Sequence, residues 1–212
     1  AQEVARRHVH RAAARRHLAL QDGPLVLDDW VDGLRHHPTA APAEHMHAQG
    51  WLAMDPRTLL DKEKALRADK LLSVYVRSLA VAATGADALG CVVARDTLVW
   101  ITPMAAHAAQ AQLRALLHWW AQGQNTPLPL PLRTAMALAR ADLNAAATAY
   151  EGSHVVGGEC EDPSWARCYP RFENLVEGGL QALAPQVYAP LLDWAAAHLR
   201  CEDLPQPAGE PT

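Results

Sequence analysis

Residues 59–83 constrain the fold more than any other stretch. A charged first half, residues 61–70, runs into an almost wholly apolar second half, residues 71–83, interrupted only by Ser73, Arg77 and Ser78. The pattern predicts one long helix, 59–83, driven into a core and stopped at Thr84-Gly85. Short β-type runs lie on both sides of it. Residues 89–94 and 97–101 predict a hairpin turning at Arg95-Asp96, and residues 51–54 predict a strand ahead of the helix. Further upstream, Asp22-Gly23 marks a tight turn between residues 17–20 and 25–31. A helix bracketed by strands in this way implies an α/β core over residues 17–102.

Beyond Pro103 the pattern is helical throughout. Leu113, Leu116, Leu117 and Trp120 make one apolar stripe; Met136, Leu143, Ala147 and Tyr150 make another. Between them prolines 127, 129 and 131 exclude helix and predict a stiff, polyproline-like connector. The last helices, 173–184 and 190–199, are expected to separate or kink at Pro185, and Gly178-Gly179 to mark close helix packing. At the other end, residues 2–14 suit a basic helix. The chain therefore divides into an N-terminal basic helix (1–16), the α/β core (17–102) and a helical part (103–201). The tail 202–212, rich in proline and acid, is expected to be disordered.

With 212 residues and 50% apolar composition there is material for a proper core. The absence of an initiator Met is expected to mean that the chain is cut from a longer polypeptide ending near Thr212. No apolar run reaches 18 residues, so no membrane span is expected and the cytoplasm is the expected compartment. Cys91, Cys160, Cys168 and Cys201 are too irregularly spaced for a disulfide framework and read as free thiols. No G-x-x-x-x-G-K-[ST] loop and no G-x-S-x-G elbow occurs.

The net charge of −4 hides an asymmetry. Arg6, Arg7, Arg11, Arg15 and Arg16 face Glu3 alone in the first twenty residues, whereas residues 150–212 hold ten acids against Arg167, Arg171 and Arg200. The arginines are a candidate DNA-binding set, since a basic end can follow phosphates that an acidic end repels. A solvated face or an intersubunit contact is the competing account.

Tyr150-Glu151-Gly152, then Gly158-Glu159, then Asp162 and Trp165 form an ordered set that resembles the tail of the RecC family, the gamma subunit of exodeoxyribonuclease V. Trp30, Pro56 with Leu59-Leu60, and Ala189-Pro190-Leu191-Leu192 echo the same family in the expected order. The resemblance implies a restriction-endonuclease-like core of the PD-(D/E)xK type with a lost active site, followed by C-terminal helices. It also implies RecB and RecD as partners, contact with double-stranded and single-stranded DNA, and a scaffolding role in double-strand break repair. Strand splitting by an inserted pin belongs to that role, with the turns at 21–24 and 95–97 as geometric candidates. ATP and Mg²⁺ are expected on the partner subunits, with no cofactor or metal in this domain.

The lost active site can be read directly. Nucleases of this type hold metal with an acid on one strand and (Asp/Glu)-x-Lys on the next. The chain's lysines, at positions 62, 64 and 70, follow Leu60, Lys62 and Ala68 by two residues, so that motif is absent and no catalytic residue is assigned. Asp55-Pro56-Arg57 is the nearest substitute, and a guanidinium cannot do a lysine's proton chemistry. The alternative is a self-sufficient metal-dependent nuclease or hydrolase using Asp28, Asp32 and Asp55, or the histidines between His36 and His47; Asp29 joins the acids near the hairpin. Tyr150 and Trp165 are expected either to lock a loop to a helix in the core or to anchor a subunit interface.

Overall fold

The computed structural model describes residues 11–12, 15–36 and 49–204, with side chains left aside at 11, 12 and 36. The protein is α/β with a mixed sheet. Of the described residues, 11–12, 15–21, 26–36, 49–111 and 196–204 form one compact unit, and 22–25 and 112–195 a second.

The first unit is built on a six-stranded sheet with strand order β1-β4-β5-β6-β7-β8. Its strands are β1 (Arg11–Ala12), β4 (Arg35–His36), β5 (Gln49–Met54), β6 (Ala88–Val93), β7 (Leu98–Ile101) and β8 (Leu199–Glu202). All neighbours are antiparallel except β5 and β6, which run parallel in the register Trp51↔Gly90. Parallel neighbours need a crossover, and helix α1 (Leu72–Ala83) supplies it. Val74, Tyr75, Ser78, Leu79, Val81 and Ala82 of α1 are buried, and β6 is buried along its whole length. A strand covered on both faces reads as a continuous apolar run, which is what Ala-Leu-Gly-Cys-Val-Val is.

β2 (Arg16–Asp22) and β3 (Leu25–Val31) form the expected hairpin as a two-stranded sheet of their own. Leu18 and Leu20 are its buried residues.

The long helix expected over 59–83 is not formed as one piece; α1 begins only at Leu72. Side chains claim the backbone N–H groups that a helix would use. Asp96 accepts from Leu59 N and Leu60 N, both at 2.9 Å, and Asp61 Oδ1 accepts from Glu63 N and Ala65 N, both at 2.8 Å. Lys64 then sits at φ 61°, in the left-handed region, and a 3-10 turn spans Ala68–Lys70. Asp side chains that bond nearby backbone compete with helix in this way.

The N-terminal basic helix is also corrected where it can be seen. Arg11–Ala12 pairs with β4, and Arg16 opens β2. Residues 1–10, with Arg6 and Arg7, lie outside the described residues.

The second unit contains α3 (Leu132–Ala139), α4 (Leu143–Glu151), α5 (Pro163–Cys168), α6 (Phe172–Glu177) and most of α7 (Leu180–His198); α2 (Ala106–Gly123) enters it from the first. Residues 124–131 are non-helical, as the prolines require. Pro185 does not divide the last helix: α7 carries both Pro185 and Pro190, with Leu180, Ala184, Tyr188, Leu191 and Trp194 buried along one stripe. Nor does the glycine pair pack two helices together. Gly179 has φ +97° and makes the turn between α6 and α7. Trp120 and Leu143, placed on core stripes by periodicity, are exposed. The helical part ends before residue 201, because residues 199–202 join the sheet as β8, and Glu202 is therefore strand. Residues 205–212 of the tail lie outside the described residues.

Candidate functional site

In the first unit the carboxylates singled out for metal chemistry are each otherwise engaged or apart. Asp28 Oδ1 lies 2.7 Å from His17 Nε2, and the exposed Asp32 lies 4.0 Å from Arg15. Asp29 Oδ1 accepts from Trp30 N at 2.7 Å. Asp55 follows β5 and is gripped by Arg57: Nε donates to Oδ1 at 2.9 Å and Nη2 to Oδ2 at 2.7 Å. That fork holds the Asp55 carboxyl below its usual range, against the pull of burial. Among the described residues no three His, Cys, Asp or Glu side chains are grouped to hold a metal ion. Asp28, Asp32 and Asp55 are thus not brought together, and of the His36–His47 cluster only the backbone of His36 is described.

Arg57 also donates to the carbonyl of Lys70 at 2.9 Å, and Lys70 Nζ donates to that of Thr58 at 2.5 Å. The cationic groups beside Asp55 therefore close the 55–70 segment on itself. Burial would raise the Asp96 carboxyl, but the N–H groups of Leu59 and Leu60 outweigh it and hold it low. The sequence places Asp96 at a hairpin turn; its capping of Leu59 and Leu60 depends on partners 37 and 36 positions away.

Trp51 occupies the middle of β5 and is buried. Its partner in the register is Gly90, and a Cβ there would lie 2.4 Å from Trp51 Cζ2, so only glycine admits the indole. The Arg77 guanidinium lies over the ring at 5.3 Å from its centroid and donates to the Asp32 carbonyl at 3.1 Å. Gly33, at φ +70°, gives Arg77 room, since a Cβ would fall 2.9 Å from Nη2. The strand pattern at residues 51–54 accounts for the place of Trp51 in β5; the stack itself depends on pairing residues 39 positions apart.

The Tyr150–Trp165 set forms a polar clasp inside the second unit. Glu159 caps the start of α3: it accepts from Arg133 N at 3.0 Å and from Thr134 N and Oγ1 at 2.8 Å each. A carboxylate there satisfies free N–H groups and meets the positive end of the helix. Tyr150, fully buried, donates to the carbonyl of Tyr169, whose own hydroxyl donates to that of Pro127 at 2.6 Å. Burial pushes the Tyr150 hydroxyl up to about 12. Gly152 at φ +85° and the bridge Gly152↔Gly157 shape the intervening turn. At Gly158 a Cβ would stand 2.2 Å from the Tyr150 carbonyl oxygen. Glu161 accepts from Gly158 N at 3.1 Å, and Asp162, its carboxyl lowered chiefly by the Ser164 N–H, caps α5. Trp165 is half-buried, 6.3 Å from the Tyr169 ring.

Arg15 and Arg16 are exposed, while the side chain of Arg11 and all of Arg6 and Arg7 lie outside the description. No helix among the described residues is long and apolar enough to cross a membrane.

The family model described as RecC C-terminal domain matches residues 1–143. The match takes in Trp30, Pro56 and Leu59-Leu60 and stops short of the Tyr150–Trp165 clasp and of residues 189–192. No curated protein matches the chain.

Proposed function

The chain belongs to the RecC C-terminal domain family, and from that premise we propose that it is a non-catalytic scaffold and DNA-handling part of the RecC subunit of exodeoxyribonuclease V. In this reading it braces RecB and RecD and helps to guide the split strands during double-strand break repair. ATP hydrolysis and Mg²⁺-dependent cleavage proceed on the partner subunits. We take the α/β unit, with α1 crossing between parallel β5 and β6, as a nuclease-like core without an active site.

The observation that carries the reading is the content of β5. Gln49–Met54 holds neither a carboxylate nor a lysine, and its central place is filled by Trp51 under Arg77. The carboxylate that follows, Asp55, is already neutralised by a guanidinium fork, so a divalent ion would have to displace two charge-assisted bonds. A lysine that could assist an attacking water is absent from that strand.

The test is a cleavage assay on linear duplex with Mg²⁺ or Mn²⁺. The chain alone is expected to show no cleavage above background, and the complex with RecB and RecD to cleave equally well with wild-type chain or with Asp55→Ala. Cleavage by the chain alone that disappears in Asp55→Ala would overturn the reading.

A further inference from the structure

Strand β8 closes one end of the six-stranded sheet, and among the described residues only β7 pairs with it. Arg200, Cys201 and Glu202 are exposed, and so is Asp203 after them. Two hydrogen bonds fix the direction of its backbone groups. The carbonyls of His198 and Glu202 both accept from the β7 side, the first from Thr102 N and the second from Thr97 Oγ1, each at 3.0 Å. Backbone groups alternate along a strand, so those of Arg200 also face β7, while the N–H and carbonyl of Cys201 point away from the sheet. Such an edge is a template for one more strand.

The side chains select which strand. Arg200 is the register partner of Trp100 and Glu202 that of Leu98, so both charges stand on the face that carries Trp100, and Cys201 lies on the other. The Trp100 indole N–H donates to Glu202 Oε2 at 2.6 Å, which holds the carboxylate at the edge and leaves it able to accept from a second donor. Like charges along β8 would close the edge to a copy of itself, but β8 has one charge of each sign, two positions apart on one face. In an antiparallel pair of copies, hydrogen bonding lets Cys201 stand opposite Leu199, Cys201 or Asp203 of the other copy, because these positions share its direction. The first register sets Arg200 against Arg200, and the last sets Glu202 against Glu202. The middle register sets Arg200 against Glu202. By two-fold symmetry it does so twice, at non-hydrogen-bonded positions where cross-strand side chains are closest.

We propose that β8 pairs with β8 of a second copy of the chain, antiparallel and centred on Cys201, so that the sheet continues across a two-fold axis. The contact is short and its ion pairs are exposed, so the dimer is weak and loosens with added salt. It does not depend on the reading of the chain as part of a larger assembly. Sedimentation equilibrium of the full chain tests it by exchanging charges, with a melting curve for each variant. Arg200→Glu and Glu202→Arg each set like charges opposite one another and are expected to weaken self-association by about 10-fold or more. An equimolar mixture of the two variant chains is expected to recover it, because each supplies the charges that the other lacks. Arg200→Glu keeps the bond between Trp100 and Glu202, is expected to melt as wild type does, and carries the test alone if Glu202→Arg melts early. A short bis-maleimide is expected to join two copies through Cys201, and Cys201→Ser to abolish the product. A chain that stays monomeric up to about 0.5 mM overturns the proposal. So does a dimer indifferent to Arg200→Glu, a mixture of two folded variants that stays monomeric, or cross-linking that persists through Cys168 in Cys201→Ser. Binding to RecB or RecD that Arg200→Glu weakens, in a chain that does not self-associate, would give the edge to a partner strand and likewise overturns it.

Discussion

The two units are held together in opposite ways. In the first, long apolar strands and α1 bury their side chains, and the central feature is an indole fitted against a glycine. In the second, α3, α4, α5 and α6 have 8, 9, 6 and 6 residues, lengths at which isolated helices do not persist. There a few polar side chains close the helix ends: Glu159 on α3, Asp142 on α4 and Asp162 on α5. The contrast teaches where each unit is vulnerable. The first should fail when volume is removed, the second when a cap or a glycine is changed.

Trp51→Ala should have the largest effect, about 3 to 5 kcal/mol in urea unfolding, because it empties the space under Arg77. Hydrogen exchange should locate the loosening in β5, β6 and α1, and protection lost equally in both units would break the distinction. Gly158→Ala should cost about 3 kcal/mol through a clash with backbone that has no flexible end to move, and should loosen α3 and α4 instead. Next, Glu159→Ala should cost about 2 kcal/mol by stripping the start of α3 of its acceptor, with Glu159→Gln recovering part of it. Tyr150→Phe should cost about 1 kcal/mol, the net value of one buried hydrogen bond, and no change would mean that the Tyr169 carbonyl finds another donor.

The smallest effect concerns acid. Asp96 titrates below its ordinary 3.8 in the folded chain. A depressed carboxyl lends stability that is whole above that ordinary value and is lost as pH falls through the lower folded one. Wild type should therefore lose stability below about pH 3.8 in part through this group. Asp96→Asn should flatten that portion of the pH profile and loosen residues 59–66, as read by exchange at Leu59 and Leu60. A profile unchanged by the substitution would remove Asp96 as a source of the acid sensitivity.

Local pattern was enough for much of this. The hairpin around Asp22-Gly23, the β6–β7 hairpin, the buried half of α1 and the break at prolines 127, 129 and 131 all follow from periodicity and backbone chemistry, which act between near neighbours in the chain. The absence of an (Asp/Glu)-x-Lys strand was legible for the same reason. What eluded a linear reading depends on partners far away in sequence. The segment 59–71 has helical composition, yet Asp96 takes its N–H groups from across the fold. Leu199 ends the expected last helix and Glu202 opens the expected disordered tail, yet 199–202 become β8 because β7 offers an edge, with Thr97 Oγ1 donating to the Glu202 carbonyl at 3.0 Å. Glu159 caps α3, 25 positions earlier, a pairing that no local pattern announces. Composition and spacing determined which segments must bury apolar surface and which cannot be helical. Tertiary structure alone decided which backbone groups found distant acceptors, because an unpaired N–H or carbonyl is costly when buried and takes whatever partner the packed chain brings near.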